Sequence, residues 1–133
     1  MRVPTLVMIV DDHAVIRRMV RALLEAESLV VSDAADGAEG VQKAQAEKPD
    51  LIILDLSMPV MNGLEAARKL NVLLPHIPLL MFTNNAGGIM EKEARSAGIS
   101  AVISKSDPGG LRQLLDHTKA LLGLNQAGVP RAS

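Results

Sequence analysis

The chain has no cysteine, which excludes a disulfide framework, a thiol nucleophile and a thiolate metal site. Phe82 is its single aromatic residue, with no Trp or Tyr beside it, so the core must be aliphatic and rich in methionine. An excess of one charge is also missing: 14 Lys and Arg stand against 15 Asp and Glu, for a net charge of −1. No global basic field is available to hold nucleic acid. No apolar run is long enough to span a bilayer, and the first apolar stretch is too short for a signal peptide and runs straight into acids. These absences set the expectation of a cytoplasmic protein with no direct nucleic-acid partner and no membrane partner. Internal repeats and low-complexity blocks are lacking as well. Gly87-Gly88 and Gly109-Gly110 do not have the pattern of a phosphate-binding glycine loop, and no helix-turn-helix fits.

What is present is a chain of 133 residues, 48% hydrophobic and 22% charged, which suits one globular domain. Strand-like and helix-like segments alternate, as in βαβ units of a parallel sheet. A strand is expected at about 5–10. After it comes a helix with Val15, Ile16, Met19, Val20, Leu23 and Leu24 on an apolar side and Arg17, Arg18 and Arg21 on a solvated side. Leu29-Val30-Val31 reads as a weak second strand closed by the Asp36-Gly37 turn, and Ala38, Val41 and Ala44 mark a helix that stops before Pro49. The third strand, 51–54, is wholly apolar, as befits a central strand covered on both faces. Asn62-Gly63 opens a third helix. A fourth strand at 77–82, a helix at 86–97 weakened by Gly87-Gly88, a fifth strand near 100–104 and a last helix with Pro108 in its first turn complete the pattern. The domain is expected over 4–123, with 124–133 as a C-terminal tail or the start of a linker. The result is (βα)5, doubly wound, with order 2-1-3-4-5 and helices on both faces.

Polar residues close the apolar strands: Asp11-Asp12 the first, Asp55 the third, Thr83 the fourth and Lys105 the fifth. In an open parallel sheet those positions meet at the carboxyl edge, where such folds hold ligands. Each residue alone has an ordinary reading. One aspartate of the pair could cap the first helix, Asp55 and Thr83 could be turn residues, and Lys105 could be solvated. Together they describe a site for a divalent cation and a phosphoryl group. A divalent cation such as Mg2+ would relieve repulsion among the three carboxylates. Asp55 is the candidate nucleophile, since a carboxylate can attack phosphorus and form an acyl phosphate. The three histidines, His13, His76 and His117, have no metal-ligand spacing and are assigned surface or packing roles.

Val10-Asp11-Asp12-His13, Asp55-Leu56-Ser57-Met58-Pro59, Asn62-Gly63, Thr83 and Ser104-Lys105, with Ala35-Asp36-Gly37, make roughly residues 5–122 resemble the receiver domain of two-component response regulators. The resemblance implies a flavodoxin-like fold, α/β with a five-stranded parallel sheet. It implies Asp55 as phosphoacceptor, and Mg2+ held by the side chains of Asp12 and Asp55, the backbone carbonyl of Ser57, and Asp11 through water. Thr83 and Lys105 would contact the phosphoryl oxygens, and Ser57 and Asn85 would tune how quickly the group is lost. The implied donor is a sensor histidine kinase or phosphotransfer protein, or a small molecule such as acetyl phosphate. The implied output is a downstream protein target or output domain reached through the fourth helix, fifth strand and fifth helix, with homodimerisation on phosphorylation an open outcome. The domain would catalyse only its own phosphorylation and dephosphorylation. Four positions depart from the family's common form. Asn84 replaces a small residue and is expected to crowd the phosphate pocket, and Val102 replaces a Tyr or Phe, so Thr83 would drive the switch without an aromatic partner. Ser106-Asp107 separates Lys105 from Pro108, and Asn62 replaces a frequent Asp. Two other readings stay open: a Mg-dependent phosphohydrolase with an Asp nucleophile, against which Ser57 stands where a second acid would be needed, and a pseudo-receiver that binds partners without phosphorylation.

Overall fold

Side chains of an extended chain alternate between faces, so an uninterrupted apolar strand must be covered on both sides. The computed structural model, which describes residues 5–124, shows this arrangement. Its elements run β1 Leu6–Val10, α1 Ala14–Glu25, β2 Val30–Ala34, α2 Gly37–Glu47, β3 Leu51–Leu54, α3 Gly63–Leu73, β4 Leu79–Thr83, α4 Gly88–Ser96, β5 Ile99–Ser104 and α5 Gly110–Leu122. All neighbouring strands are parallel, in the order β2-β1-β3-β4-β5. This is the flavodoxin-like, doubly wound sheet expected from the sequence.

Alternation divides the core in two. Met8, Val10, Ile52, Leu54 and Met81 face Ala44, Leu64, Ala67, Leu70 and Ala94 of α2, α3 and α4. Val7, Ile9, Leu51, Ile53, Leu80, Phe82 and Ile103 face Val20 and Leu24 of α1 and Leu114 and Leu115 of α5. Every residue of β3 is buried. Each such aliphatic side chain contributes about 1.5–3 kcal/mol by leaving water. No helix among the described residues is long and apolar enough to cross a membrane.

Helix ends follow local chemistry. Asp36 caps α2 by accepting from Glu39 N at 2.8 Å. Asn62 and Glu65 form a reciprocal capping box on α3. α5 begins at Gly110, later than Pro108 suggests. The Asp107 side chain accepts from Gly109 N at 3.2 Å and its carbonyl from Gly110 N at 2.9 Å, so Pro108 lies inside that turn rather than in the helix.

α1 is less buried than its periodicity implies. Val15 and Met19 are 57% and 43% exposed, while Val20 and Leu24 are fully buried. The helix shares its face of the sheet with α5, so only part of its apolar stripe reaches the core. Nor are Arg17 and Arg21 simply solvated. Arg17 donates to the Asp11 carbonyl at 2.7 Å, Arg21 donates to the Val31 carbonyl at 2.8 Å, and both lie near Asp33 on the edge strand. They clamp α1 to β1 and β2. Gly123 ends α5 in the left-handed region, at φ 69°. Leu124, the first residue of the expected tail, is buried; the rest of that tail lies outside the described residues.

Thr118 is fully buried on α5 and its hydroxyl has no hydrogen-bond partner among the described residues. A buried hydroxyl without a partner costs about 1–3 kcal/mol. Replacing it with a methyl group of the same shape removes that cost. Thr118→Val is therefore expected to raise the unfolding free energy by about 1 kcal/mol, read from chemical denaturation.

Candidate functional site

The hydrogen-bond ladder of the sheet runs past the strand ends and carries the polar residues with it. Asp11 N donates to the Ala34 carbonyl at 3.1 Å, Asp55 N to the Val10 carbonyl at 2.9 Å, and Lys105 N to the Thr83 carbonyl at 3.0 Å. Strand pairing thus aligns three backbones at one edge. Thr83 is the last residue of β4 rather than the one after it, and it is fully buried.

Two glycines let the following helices close on that edge. A Cβ at Gly63 would overlap the Asp55 carbonyl oxygen, and one at Gly110 would overlap the Ser104 carbonyl oxygen. Gly63 N also donates to the Leu56 carbonyl at 2.8 Å. The start of α3 is therefore packed against the residue that follows β3, and the start of α5 against the residue before Lys105.

The side chains converge. Asp11 and Asp55 are buried, at 0% and 4% exposure, whereas Asp12 is partly open to solvent. The Lys105 ammonium lies 2.7 Å from Asp11 Oδ2 and 3.2 Å from Asp55 Oδ2, with only 6% of its side chain exposed. The contact with Asp11 is a close ion pair that lacks the alignment of a hydrogen bond. Asp55 Oδ1 accepts from Leu56 N at 2.8 Å, so one oxygen is held and the other faces Lys105.

His13 is exposed, in keeping with the surface or packing role expected for it, and it also adjoins this cluster. Its Nδ1 is 3.1 Å from Asp11 Oδ1 and 3.1 Å from Asp12 Oδ1. His13 is also the N-cap residue of α1, and no side chain caps that helix. Neither aspartate plays the capping role that was the ordinary alternative; Asp11 Oδ1 instead accepts from His13 N at 2.9 Å. The signal in the sequence was position: His13 directly follows the acidic pair.

Loops join around the cleft. Asn85 Nδ2 donates to Ser57 Oγ at 3.2 Å, and Asn85 N donates to Thr83 Oγ1 at 3.3 Å. Ser106 Oγ donates to Asn84 Oδ1 at 3.0 Å. Asn84 is exposed and its amide oxygen is engaged sideways with Ser106. Val102 is partly buried against the α2–α4 side of the core and borders a cavity of about 200 Å³ that Glu91, Arg95 and His117 also line.

The donor set fits a hard divalent cation. Asp11, Asp12, His13 and Asp55 each offer a ligand atom, all within 4.8 Å of one another. Three carboxylates against one ammonium leave two negative charges to balance. Oxygen donors in a partly open cleft suit Mg2+, which is usually held by one or two carboxylates and keeps several waters. Among the described residues, Lys105 carries the compensation for the two buried carboxylates. Removing one partner from a buried pair costs about 3–5 kcal/mol because it strands the other charge. Lys105→Met is expected to lower the thermal midpoint in chelator, and Mg2+ should raise it by more than it raises that of the unmodified chain.

Residues 7–116 match the family model described as the response regulator receiver domain. The chain is 32% identical over 131 residues, 94% of its length, to a protein-glutamate methylesterase/protein-glutamine glutaminase of a Nocardioides species, covering 36% of that protein. It spans between 31% and 56% of the length of the first curated relatives it matches. Among solved structures, a CheY-like response regulator receiver domain protein from Methanospirillum hungatei superposes with a TM-score of 0.83 at 31% identity, over 90% of this chain and 94% of that one. The chemotaxis response regulator CheY4 of Vibrio cholerae gives 0.80 at 31% identity, over 90% and 99% of the two chains. A doubly wound sheet whose carboxyl edge gathers acids, a threonine and a lysine, matched over nearly its whole length, places this chain in the response regulator receiver domain family.

Proposed function

We propose that this receiver domain accepts a phosphoryl group on Asp55 and passes the event to a partner-binding surface. The observation that carries the reading is the Asp55 carboxylate itself. It is buried at the end of the central strand, tethered through one oxygen and paired with Lys105 through the other. Such a group is fixed in place for attack on phosphorus.

Asp12 and Asp55, with the Ser57 carbonyl, would hold Mg2+, and Asp11 would reach it through water. When bound, the ion would neutralise charge on the phosphoryl oxygens and the carboxylates. Lys105 supplies a cation at the attacking oxygen, and the Thr83 hydroxyl supplies a donor for a phosphoryl oxygen. The phosphodonor would be a sensor histidine kinase or a phosphotransfer protein. The longer methylesterase relative supports a further output domain or a separate protein target downstream.

The output would run through Thr83. Its Oγ1 already accepts from Asn85 N in the loop that precedes α4. α4 is loosely seated: Ala94 is its one buried residue, and its N-cap, Gly87, offers no side chain. Drawing Thr83 toward a phosphoryl oxygen would bias the position of that loop and of the surface formed by α4, β5 and α5. The phosphohydrolase alternative fares worse. Ser57 stands two residues after Asp55, bound to Asn85 rather than replaced by a general acid.

Incubation with Mg2+ and acetyl phosphate should add one phosphoryl mass to the intact chain and none to Asp55→Asn. Steady phosphate release at enzyme-like rates would instead favour a hydrolase, and the absence of any adduct would favour the pseudo-receiver. Thr83→Ala should still be phosphorylated but lose the phosphorylation-dependent change in amide exchange across residues 84–97. A full change in that variant would remove Thr83 from the switch.

A further inference from the structure

β3 lies between β1 and β4, so a cleft walled by residues after β1 on one side and after β4 and β5 on the other would lie close to the end of β3. Such a cleft exists, with a volume of about 360 Å³, lined by His13, Val15, Ile16, Asn84 and Lys105. Lys105 joins it to Asp55, from which its ammonium is 3.2 Å away.

The two walls differ in chemistry. Val15 is 57% exposed, and it lines the cleft together with Ile16, which packs its other side against the α1–α5 half of the core. Opposite stands Asn84, whose Oδ1 accepts from Ser106 Oγ at 3.0 Å. That bond orients the amide. Its Nδ2, which makes no hydrogen bond to another described residue, is left with two N–H groups to donate. An apolar face on one side and a fixed N–H donor on the other suit a flat heteroaromatic ring with a lone pair on its edge. The ammonia released from phosphoramidate presents neither feature.

We propose that Asn84, oriented by Ser106, is a donor-specificity residue whose side-chain N–H holds the imidazole leaving group of a phosphohistidine against Val15 and Ile16. This rests on the reading of Asp55 as phosphoacceptor and deepens it. In the transfer, an Asp55 oxygen bonds to phosphorus and the phosphorus–nitrogen bond breaks. Its electron pair stays on the ring nitrogen, which takes a proton from solvent. Asn84 donates to the other ring nitrogen, so it contributes to ring-bearing donors and has no counterpart contact with phosphoramidate, whose leaving group has no second acceptor atom. Ser106 is a positioning residue, acting through Asn84.

The test compares two small donors, phosphoimidazole and phosphoramidate, under the same Mg2+ concentration, with intact mass as readout. The quantity is the ratio of their second-order phosphorylation rate constants. One neutral hydrogen bond corresponds to roughly a 3- to 10-fold effect. Asn84→Ala should lower the phosphoimidazole to phosphoramidate ratio by that amount. Ser106→Ala should lower it in the same direction, and the double variant should fall no further than Asn84→Ala. Both positions are exposed loop residues, so the variants keep the core intact. A ratio that stays constant while both rates change together would make Asn84 a general shaper of the cleft and overturn the assignment. A ratio that rises would make it an obstruction to the ring, and an effect of Asn84→Ala that Ser106→Ala does not share would overturn the orienting role. If the unmodified chain took phosphate from neither donor, the phosphoacceptor reading would fail first, and the Asn84 assignment with it.

Discussion

The molecule is organised around a repulsion. Three carboxylates stand at one edge of the sheet, two of them buried, and they are compensated from within by a single buried ammonium that touches both. Like charges in a medium of low dielectric are unstable neighbours. The fold tolerates them because Lys105 is delivered to the gap by β5, two strands from β3 in the sheet and with β4 between them. The unbalanced charge that remains is of the sign and size that a divalent cation satisfies.

The backbone enforces what the charges oppose. Parallel ladder bonds position Asp11, Asp55 and Lys105 to within hydrogen-bond geometry before any side chain is considered. Gly63 and Gly110 allow α3 and α5 to start against the backbone of the site, where any larger residue would push Asp55 or Lys105 out of register. Around this rigid base the loops are tied by side chains: Asn85 to Ser57, Ser106 to Asn84, His13 to the acidic pair. Val60, in the loop after β3, holds a left-handed backbone at φ 69° while 85% exposed. That conformation is unfavourable for a β-branched residue. The contrast between a fixed floor and a polar, rearrangeable rim is what separates the chemistry at Asp55 from the movement it would set off.

Much of the fold could be read from the chain because its strands are either wholly apolar or end abruptly in a polar residue. Leu51-Ile52-Ile53-Leu54 before Asp55 is legible as a doubly covered strand, and it is one. Boundaries were less legible. Pro108 suggested a helix start, yet Asp107 bonds to the next two amides and delays it to Gly110. Val15 and Met19 fit helical periodicity but lie beyond the arc of α1 that reaches the sheet. Periodicity reports which side of a helix is apolar, and neighbouring elements decide how much of that side is covered.

The sequence by itself determined the alternation of elements, the doubly wound class and the set of polar residues at the strand ends, because those depend on local pattern and on the rules of parallel connection. The tertiary structure alone decided who touches whom. It placed Lys105 between Asp11 and Asp55, brought His13 onto both aspartates, turned Arg17 and Arg21 from a solvated face into clamps, and engaged Asn84 with Ser106 at the wall of the cleft. The physical reason is range. Propensity and periodicity act over a few residues, whereas these contacts of Arg17, Arg21, Asn84 and Lys105 join positions from 6 to 94 apart in the chain, and only the packed sheet fixes their distances.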